Sequence, residues 1–146
     1  MTGITYSVDT QRIQAAANRM AARLATGEVQ GEIAGLLKSQ TQRRLRETKT
    51  APDGTPWAEW SEDYAATRGP QHSLLQGEGD LDDDLMTYAD ARSSTLGSPL
   101  IYAAIQQFGG EEVGIDIPAR EYLGLSDDNA REIEQAVEDW LQEGFR

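Results

Sequence analysis

The residues best suited to metal chemistry form an acidic run in the middle of the chain, where aspartates stand at positions 80, 82, 83 and 84. The spacing of Asp80, Asp82 and Asp84 matches the first three ligands of a calcium-binding loop. Such a loop needs glycine at its sixth position and glutamate at its twelfth, and this chain has Leu85 and Ala91 there. Two interpretations stay open: a weak cation site that serves a metal-dependent hydrolase, or an acidic surface.

Nucleophilic catalysis has little support in the sequence. The stretch from Gly124 to Asp128 begins like a nucleophile elbow around Ser126, but it ends in aspartate where the tight turn needs glycine. His72 is the only histidine, so a Ser-His-Asp arrangement would depend on it alone. The chain has no cysteine, which excludes disulfides and zinc–thiolate sites. We therefore predict that the protein is not an enzyme and binds no cofactor.

The charge is distributed unevenly along the 146 residues. The net charge is −12, and the pI of about 4.4 argues against a free-standing nucleic-acid-binding protein. Residues 1–50 hold eight basic and four acidic side chains, a local charge of +4, which leaves −16 on residues 51–146. We predict one domain over 1–146, made of a basic helical arm (1–50) and an acidic α+β body (51–146).

This charge pattern suggests surfaces that meet unlike partners. The basic candidates for an interaction surface are Arg43, Arg44, Arg46 and Lys49, and the acidic candidates are Asp82, Asp83 and Asp84. The basic cluster also has a structural interpretation, since cations are favoured at the C-terminal end of a helix. The acidic residues allow an alternative function, an acidic interaction protein that mimics DNA and binds a basic host factor.

Hydrophobic periodicity predicts the elements that position these residues. One amphipathic helix covers residues 10–25, a second runs from about 28 into the basic cluster, and a third begins after the cap at Ser126. The apolar stripes expected to face inward are Ile13, Ala17, Met20 and Leu24 on the first helix and Ile33, Leu37 and Leu45 on the second. Residues 57–64 are expected to place three aromatic rings on a short helix, and residues 85–96 favour a β-hairpin. A helix over 100–108 and a short strand over 113–117 complete a helix-dominated α+β fold with long N-terminal helices, a small antiparallel hairpin and a C-terminal helix. No apolar run approaches the length of a membrane span, so we expect no membrane partner.

Four stretches together resemble the Mu-like phage virion morphogenesis family, whose members are also described as tail completion proteins. In order, they are the arginine-rich helix end running into Pro52-Asp53-Gly54-Thr55-Pro56-Trp57, the stretch from Leu75 to Leu81, residues 97–110, and residues 117–126. Their order and spacing are kept from about residue 40 to the C-terminus.

The chain departs from the family pattern at two places. The family usually has histidine where this chain has Gln106, and it reads Arg-Pro-Phe-Leu-Gly where this chain reads Arg-Glu-Tyr-Leu-Gly at residues 120–124. Glutamine cannot carry the charge of an imidazolium, which puts a charge-dependent role at that position in doubt. Tyr122 keeps an aromatic ring, so neither change threatens a packing role.

The resemblance implies a structural protein of a tailed phage or prophage, made in the host cytoplasm and built into the virion at the neck. The expected state is a homo-oligomeric ring of six subunits at the head–tail junction. Its implied neighbours are the tail terminator or tail tube, the head connector and, non-specifically, the DNA in the channel. Arg120 is expected to anchor the loop before the last helix, and Gln106 and Arg120 join the candidate interaction residues. The predicted core and motif residues are Trp57, Trp60, Tyr102, Phe108, Tyr122, Leu123, Gly124 and Trp140.

Overall fold

The first two helices of the chain are joined by two residues, Thr26 and Gly27. The structure, a computed structural model, describes residues 3–77 and 79–146, in which α1 spans Gln11–Ala25 and α2 spans Glu28–Arg43. Gly27 between them has a φ of +76°, a region that glycine enters without steric cost. A Cβ atom on Gly27 would lie 2.8 Å from the carbonyl oxygen of Asp90, so this corner needs a residue without a side chain.

The second helix continues beyond Arg43 as a wider turn. Arg44–Thr48 form a π-helical turn, and Lys49 ends it with a φ of +54°. Leu45 inside this turn has no exposed surface, as the predicted inward stripe of the second helix requires. The basic cluster therefore lies on a turn in which some side chains are directed into the protein and their neighbours are directed into solvent.

The remaining elements are short until the last helix. They are α3 (Glu62–Ala65), α4 (Asp80–Asp83), β1 (Met86–Ala89), β2 (Ser94–Gly97), α5 (Ala103–Phe108), a 3-10 turn (Glu111–Val113) and α6 (Asp127–Gly144). Ser126 caps α6, because its Oγ accepts a hydrogen bond from the N–H of Asn129 at 3.0 Å. With 49% of the residues helical and one small antiparallel sheet, the predicted helix-dominated α+β class is confirmed.

The predicted hairpin is present and lies on α2. β1 and β2 pair antiparallel, with Thr87 opposite Leu96 and Tyr88 opposite Thr95. The hydroxyl of Ser94 donates to the backbone oxygen of Gln30 on α2 at 2.8 Å. Because side chains alternate across a strand, the face that carries Tyr88 is turned away from α2.

Buried apolar side chains form two separate clusters. The main core consists of Leu45, Trp57, Leu74, Leu81, Leu85, Ala103 and Tyr122. The second cluster, between α1, α2 and α6, consists of Met20, Val29 and Trp140. Because α2 contacts α1, α6 and both strands, it is the element that joins the two clusters.

The prediction for the inward face of α1 is wrong in part. Met20 is buried, but Ile13 is exposed and Ala16 is buried in its place. Among the described elements α1 packs mainly against α2 and α6, and Ile13, the apolar residue nearest its N-terminus, stays 65% exposed. A helical wheel reports which residues share a face and not how much of that face meets a neighbour.

The prediction that Tyr102 and Phe108 pack in the core is also wrong. Tyr102 is 42% exposed and Phe108 is 79% exposed. α5 is anchored through Ala103 and Gln107, which are four residues apart and therefore share a face. Phe108 is one residue further on, about 100° around the helix, and it points into solvent.

Two further local predictions do not hold. Residues 113–117 form no strand: the N–H of Ile115 donates to the oxygen of Gly110, and the N–H of Gly110 donates to the oxygen of Ile117, which closes a local turn. The helix expected over 57–64 is confined to α3, which starts after Ser61, so Trp57 and Trp60 precede it. The ring of Trp60 still meets that of Tyr64 edge to face, with 5.7 Å between centroids.

Candidate functional site

Residues 120–124 form the segment onto which the family-like stretches converge. Arg120 is buried and donates from Nε to the oxygen of Ala58 at 2.7 Å and from a terminal nitrogen to that of Glu59 at 3.1 Å. Burial lowers the pKa of its guanidinium, and the charge of Glu59 opposes this effect. Arg120 thus joins the segment before α6 to the chain that follows Trp57.

Arg44 holds the same segment from the side of α2. Its terminal nitrogens donate to the oxygens of Tyr122 at 2.7 Å and Gly124 at 3.1 Å, and to Oδ1 of Asn129 at 2.8 Å. Burial lowers the pKa of Arg44, and the negative charge of Glu121 opposes this effect. A guanidinium nevertheless stays protonated in proteins. Arg44 therefore binds inside the protein and is not available to a partner.

Trp57 and Gln107 complete the attachment of the 120–124 segment. Trp57 Nε1 donates to the oxygen of Glu121 at 2.9 Å. Gln107 accepts at Oε1 from the N–H groups of Tyr122 and Leu123, at 3.0 and 2.9 Å, and donates from Nε2 to the oxygen of Leu123 at 3.1 Å. The side chains of Arg44, Trp57 and Gln107, from three distant parts of the chain, thus satisfy backbone groups of one irregular segment.

We expect replacement of Gln107 by methionine to lower the free energy of unfolding by about 2–3 kcal/mol, because it leaves three partly buried backbone groups without partners. The neighbouring Gln106 is the matched control. Its Oε1 is buried without a hydrogen-bond partner in the described part of the chain. Gln106→Met should therefore change stability by less than about 0.5 kcal/mol. Urea unfolding followed by circular dichroism measures both, and equal losses would contradict the assignment.

The other predicted basic residues are also engaged within the protein. Arg46 pairs through Nε with a carboxylate oxygen of the buried Asp82. Lys49 donates to the oxygens of Leu45 and Leu74, the latter at 2.8 Å, and burial lowers its pKa. Arg43 lies on the surface, 3.5 Å from a carboxylate oxygen of Glu132. Of the four, only Arg43 is placed to meet a partner without breaking a buried contact.

The acidic candidates separate in the same way. Asp82 is buried against Arg46, whereas Asp83 and Asp84 are exposed. The side chain of Asp80 lies outside the described part of the structure. Within the described part, no three histidine or acidic side chains come together as they would around a metal ion. The expected Asp80, Asp82 and Asp84 ligand set would need Asp82 to leave its arginine.

Two residues considered for catalysis have local structural contacts. The Oγ of Ser126 caps α6, and Nδ1 of His72 accepts from the N–H of Gly69 at 3.1 Å. Among the described residues, no helix combines the length and the apolar character that a bilayer span requires.

An open cleft of about 850 Å3 lies beside the 120–124 segment. Trp60, Tyr64, His72 and Gln106 are among its lining residues. The guanidinium of Arg68 stacks over the Tyr64 ring, 4.4 Å from its centroid. The cleft thus has an aromatic wall and polar groups, and Gln106, which replaces the histidine usual in the family, lines it.

A second candidate surface carries apolar side chains that are exposed to solvent, and its residues are close in sequence to Gln106 of the cleft. We call it the α5 surface; it consists of Ile101, Phe108, Val113 and Ile115, all of them exposed. All four lie within residues 101–115, on α5 or in the turns that flank it. Contiguous exposed apolar patches are typical of surfaces that proteins bury against one another, and the α5 surface is the candidate for such a patch.

Comparison with known proteins decides the family. The model of the phage virion morphogenesis family matches residues 8–142, almost the whole chain. The chain belongs to this family. Two curated relatives agree with the assignment. "Putative capsid assembly protein G" of Escherichia phage Mu is 29% identical over 143 residues, which cover 92% of this chain and 91% of the relative.

The second relative of this virion morphogenesis protein, "Mu-like prophage FluMu G protein 1" of Haemophilus influenzae, is 29% identical over 147 residues, 96% of each chain. No solved structure matches. The resemblance inferred from the four stretches is therefore confirmed, and the chain is a phage virion assembly protein.

Sequence reasoning missed the amide side chains that hold this virion morphogenesis protein together. Besides Gln107, Gln40 is buried and donates from Nε2 to the oxygen of Asn129 at 3.1 Å and to a carboxylate oxygen of Glu132 at 2.8 Å. These contacts tie α2 to the first turns of α6. A glutamine on an otherwise apolar helix face is the one signal that points to such a role.

Proposed function

We propose that this member of the phage virion morphogenesis family is a neck protein of tailed phage or prophage particles. Its copies form a homo-oligomeric ring, of six subunits, at the head–tail junction, and the ring completes the tail and joins it to the head. One face of the ring meets the tail terminator or tail tube, and the other meets the head connector. The role is structural, with no substrate turned over.

The observation that carries this proposal is the α5 surface. Full burial of a large apolar side chain stabilises by about 1.5–3 kcal/mol, and the chain leaves four such side chains in water within one short stretch. A subunit that buries these side chains against a neighbouring subunit is stabilised by this free energy, whereas a monomer leaves them exposed to water. Gln107 fixes the other face of α5 to the 120–124 segment, so the surface is held on a rigid support.

The charge of the chain favours an apolar contact over an electrostatic one between copies. The net charge is −12, and Arg44, Arg46 and Lys49 are occupied inside the protein. Copies therefore repel one another at low ionic strength, and their association has to rest on burial of apolar area. Added salt should strengthen such an association by screening the repulsion.

The proposal is tested by deleting the gene for this chain from the phage or prophage that encodes it and examining the lysate by negative-stain microscopy. We expect separate heads and tails, with joined particles restored when the natural chain is supplied from a plasmid. Normal joined particles in the deletion strain would contradict a role in head–tail joining.

Replacement of Phe108 by aspartate should abolish complementation without unfolding the subunit. An aromatic residue at the centre of an interface contributes about 2–4 kcal/mol, so the contact should weaken by about 30-fold to 1000-fold. Because Phe108 is exposed in the single chain, the free energy of unfolding should change by less than about 0.5 kcal/mol. The measurements are counts of joined particles and urea unfolding of the purified variant.

Phe145, an exposed aromatic at the end of α6, provides the matched control. Phe145→Asp places the same charge on a different surface and should leave particle counts close to those of the natural chain. Equal losses from both variants would show that added charge, and not loss of the α5 surface, prevents joining.

A further inference from the structure

The first described residues of the chain form a segment that makes a local hydrogen bond, from the N–H of Gln11 to Oδ1 of Asp9 at 2.9 Å. Residues 3–9, which we call the N-terminal arm, have no regular secondary structure and lead directly into α1. Ile4, Tyr6 and Val8 alternate with polar residues, and their side chains are 79 to 88% exposed. This alternation is typical of a strand that buries one face, yet within the described structure no strand pairs with it.

The hairpin offers a site that such a strand would fit. The sheet contains only β1 and β2, so each strand directs alternate N–H and C=O groups away from its partner. β1 is the more exposed of the two strands, because three of its four residues are exposed, whereas three of the four in β2 are half-buried. On the face turned away from α2, β1 carries the exposed Met86 and Tyr88.

We propose that the N-terminal arm of one copy pairs with the β1 edge of a second copy and adds a third strand to its hairpin. Ile4, Tyr6 and Val8 then lie on the same face as Met86 and Tyr88, and contacts between the two neighbouring rows remove part of their apolar surface from water. The backbone hydrogen bonds supply affinity, and the alternation of side chains sets the register. Two-stranded hairpins are marginal alone, so the third strand also stabilises the acceptor.

The dimensions and the arrangement of the two features fit an exchange between copies. An extended arm of seven residues reaches about 23 Å, enough to follow the four residues of β1, about 13 Å long. Each chain carries one N-terminal arm and one β1 edge, and the two lie on different surfaces. Pairing the arm of one copy with the edge of the next is therefore a head-to-tail contact. Repetition of such a contact gives a ring when the rotation between neighbours closes. The inference rests on the proposed function only in requiring that copies of the chain meet.

The absence of cysteine makes a direct test possible in the full-length chain. One protein carries the single substitution Tyr88→Cys. It is paired in turn with each of five other single variants: Ile4→Cys, Thr5→Cys, Tyr6→Cys, Ser7→Cys and Val8→Cys. The pairs are mixed and gently oxidised, both as purified proteins and in lysates of cells that assemble particles. Side chains opposite each other on neighbouring strands are close enough for a disulfide, so a paired arm gives a product of twice the 16.0 kDa subunit mass.

The expected result is a period of two along the arm. The best of the Ile4, Tyr6 and Val8 variants should cross-link to Tyr88→Cys with about tenfold the yield of the Thr5 and Ser7 variants, because paired strands hold the reacting groups at a high effective concentration. The Thr5 and Ser7 variants are the matched controls, since they place the same thiol on the same arm, facing the other way.

Three results would overturn the inference. Equal yields at all five positions would indicate unspecific contact, and no cross-linking in either preparation would show that the arm does not reach β1. A double Tyr6→Cys, Tyr88→Cys variant that closes only within one subunit would assign the arm to its own hairpin. Particle counts in the same lysates separate this failure from failure of the proposed function: particles that need the chain but lack the cross-link contradict only the role of the arm.

Discussion

Replacement of Arg44 by methionine is expected to lower the free energy of unfolding by about 3–5 kcal/mol, because one buried and two partly buried hydrogen bonds lose their charged donor at once. Two of the acceptors are the backbone oxygens of Tyr122 and Gly124, and the third is Oδ1 of Asn129. In a chain of this length the melting temperature should fall by about 10 °C or more. Thermal and urea unfolding followed by circular dichroism give both values.

Arg43 provides the control for Arg44, one position away on the same helix. Its guanidinium is half exposed and makes a single 3.5 Å ion pair with Glu132, so Arg43→Met should cost less than about 1 kcal/mol. Arg44→Lys should fall between the two, since an ammonium keeps the charge but cannot match the planar fork of a guanidinium. Similar losses for Arg43→Met and Arg44→Met would show that residues 120–124 are held in some other way.

Replacement of Trp57 by alanine should cost about 3–5 kcal/mol, the range for removing a large aromatic side chain from a packed interior. Trp57 belongs to the main core, and its Nε1 also donates to the oxygen of Glu121. The variant therefore leaves both a cavity and an unpaired carbonyl. Far-ultraviolet circular dichroism in urea is the appropriate measurement, because the substitution itself changes tryptophan fluorescence.

Two further variants divide the effect of Trp57 into its parts. Trp57→Phe removes the N–H but keeps most of the ring, and it should cost about 1–3 kcal/mol. Trp60→Ala removes an indole that is only partly buried at the edge of the same core, and it should cost less than Trp57→Ala. A larger loss from Trp60→Ala would contradict the assignment of Trp57 as the core residue.

The elements with a clear periodicity could be predicted from the sequence, and those that depend on distant neighbours could not. The long helices, the hairpin and the cap at Ser126 follow from local patterns, and the structure contains them. Phe108 has the same spacing whether α5 lies inside or on the surface, so its exposure depends on which face Gln107 attaches. The predicted strand over 113–117 has the alternation of a strand but no partner strand.

The candidate interaction residues show the same limit more sharply. Arg43, Arg44 and Arg46 are equivalent in the sequence, yet one lies on the surface, one binds three acceptors from residues 122–129, and one pairs with Asp82. Which arginine turns inward is decided by carbonyl groups about 80 residues further along the chain, and no local pattern records them. The charge difference between the two halves of the chain is real, but part of it is neutralised inside the protein.

The division of the apolar interior into two clusters bears on how the N-terminal arm finds its acceptor. α1 is held through the smaller cluster, in which only Met20, Val29 and Trp140 are buried. Its release from α2 and α6 would be a local opening that leaves the main core intact, and it would cost less free energy than global unfolding. Released, the 15 residues of α1 become a tether about 22 Å long, hinged near Gly27, and the arm at its end sweeps a much larger volume before it docks.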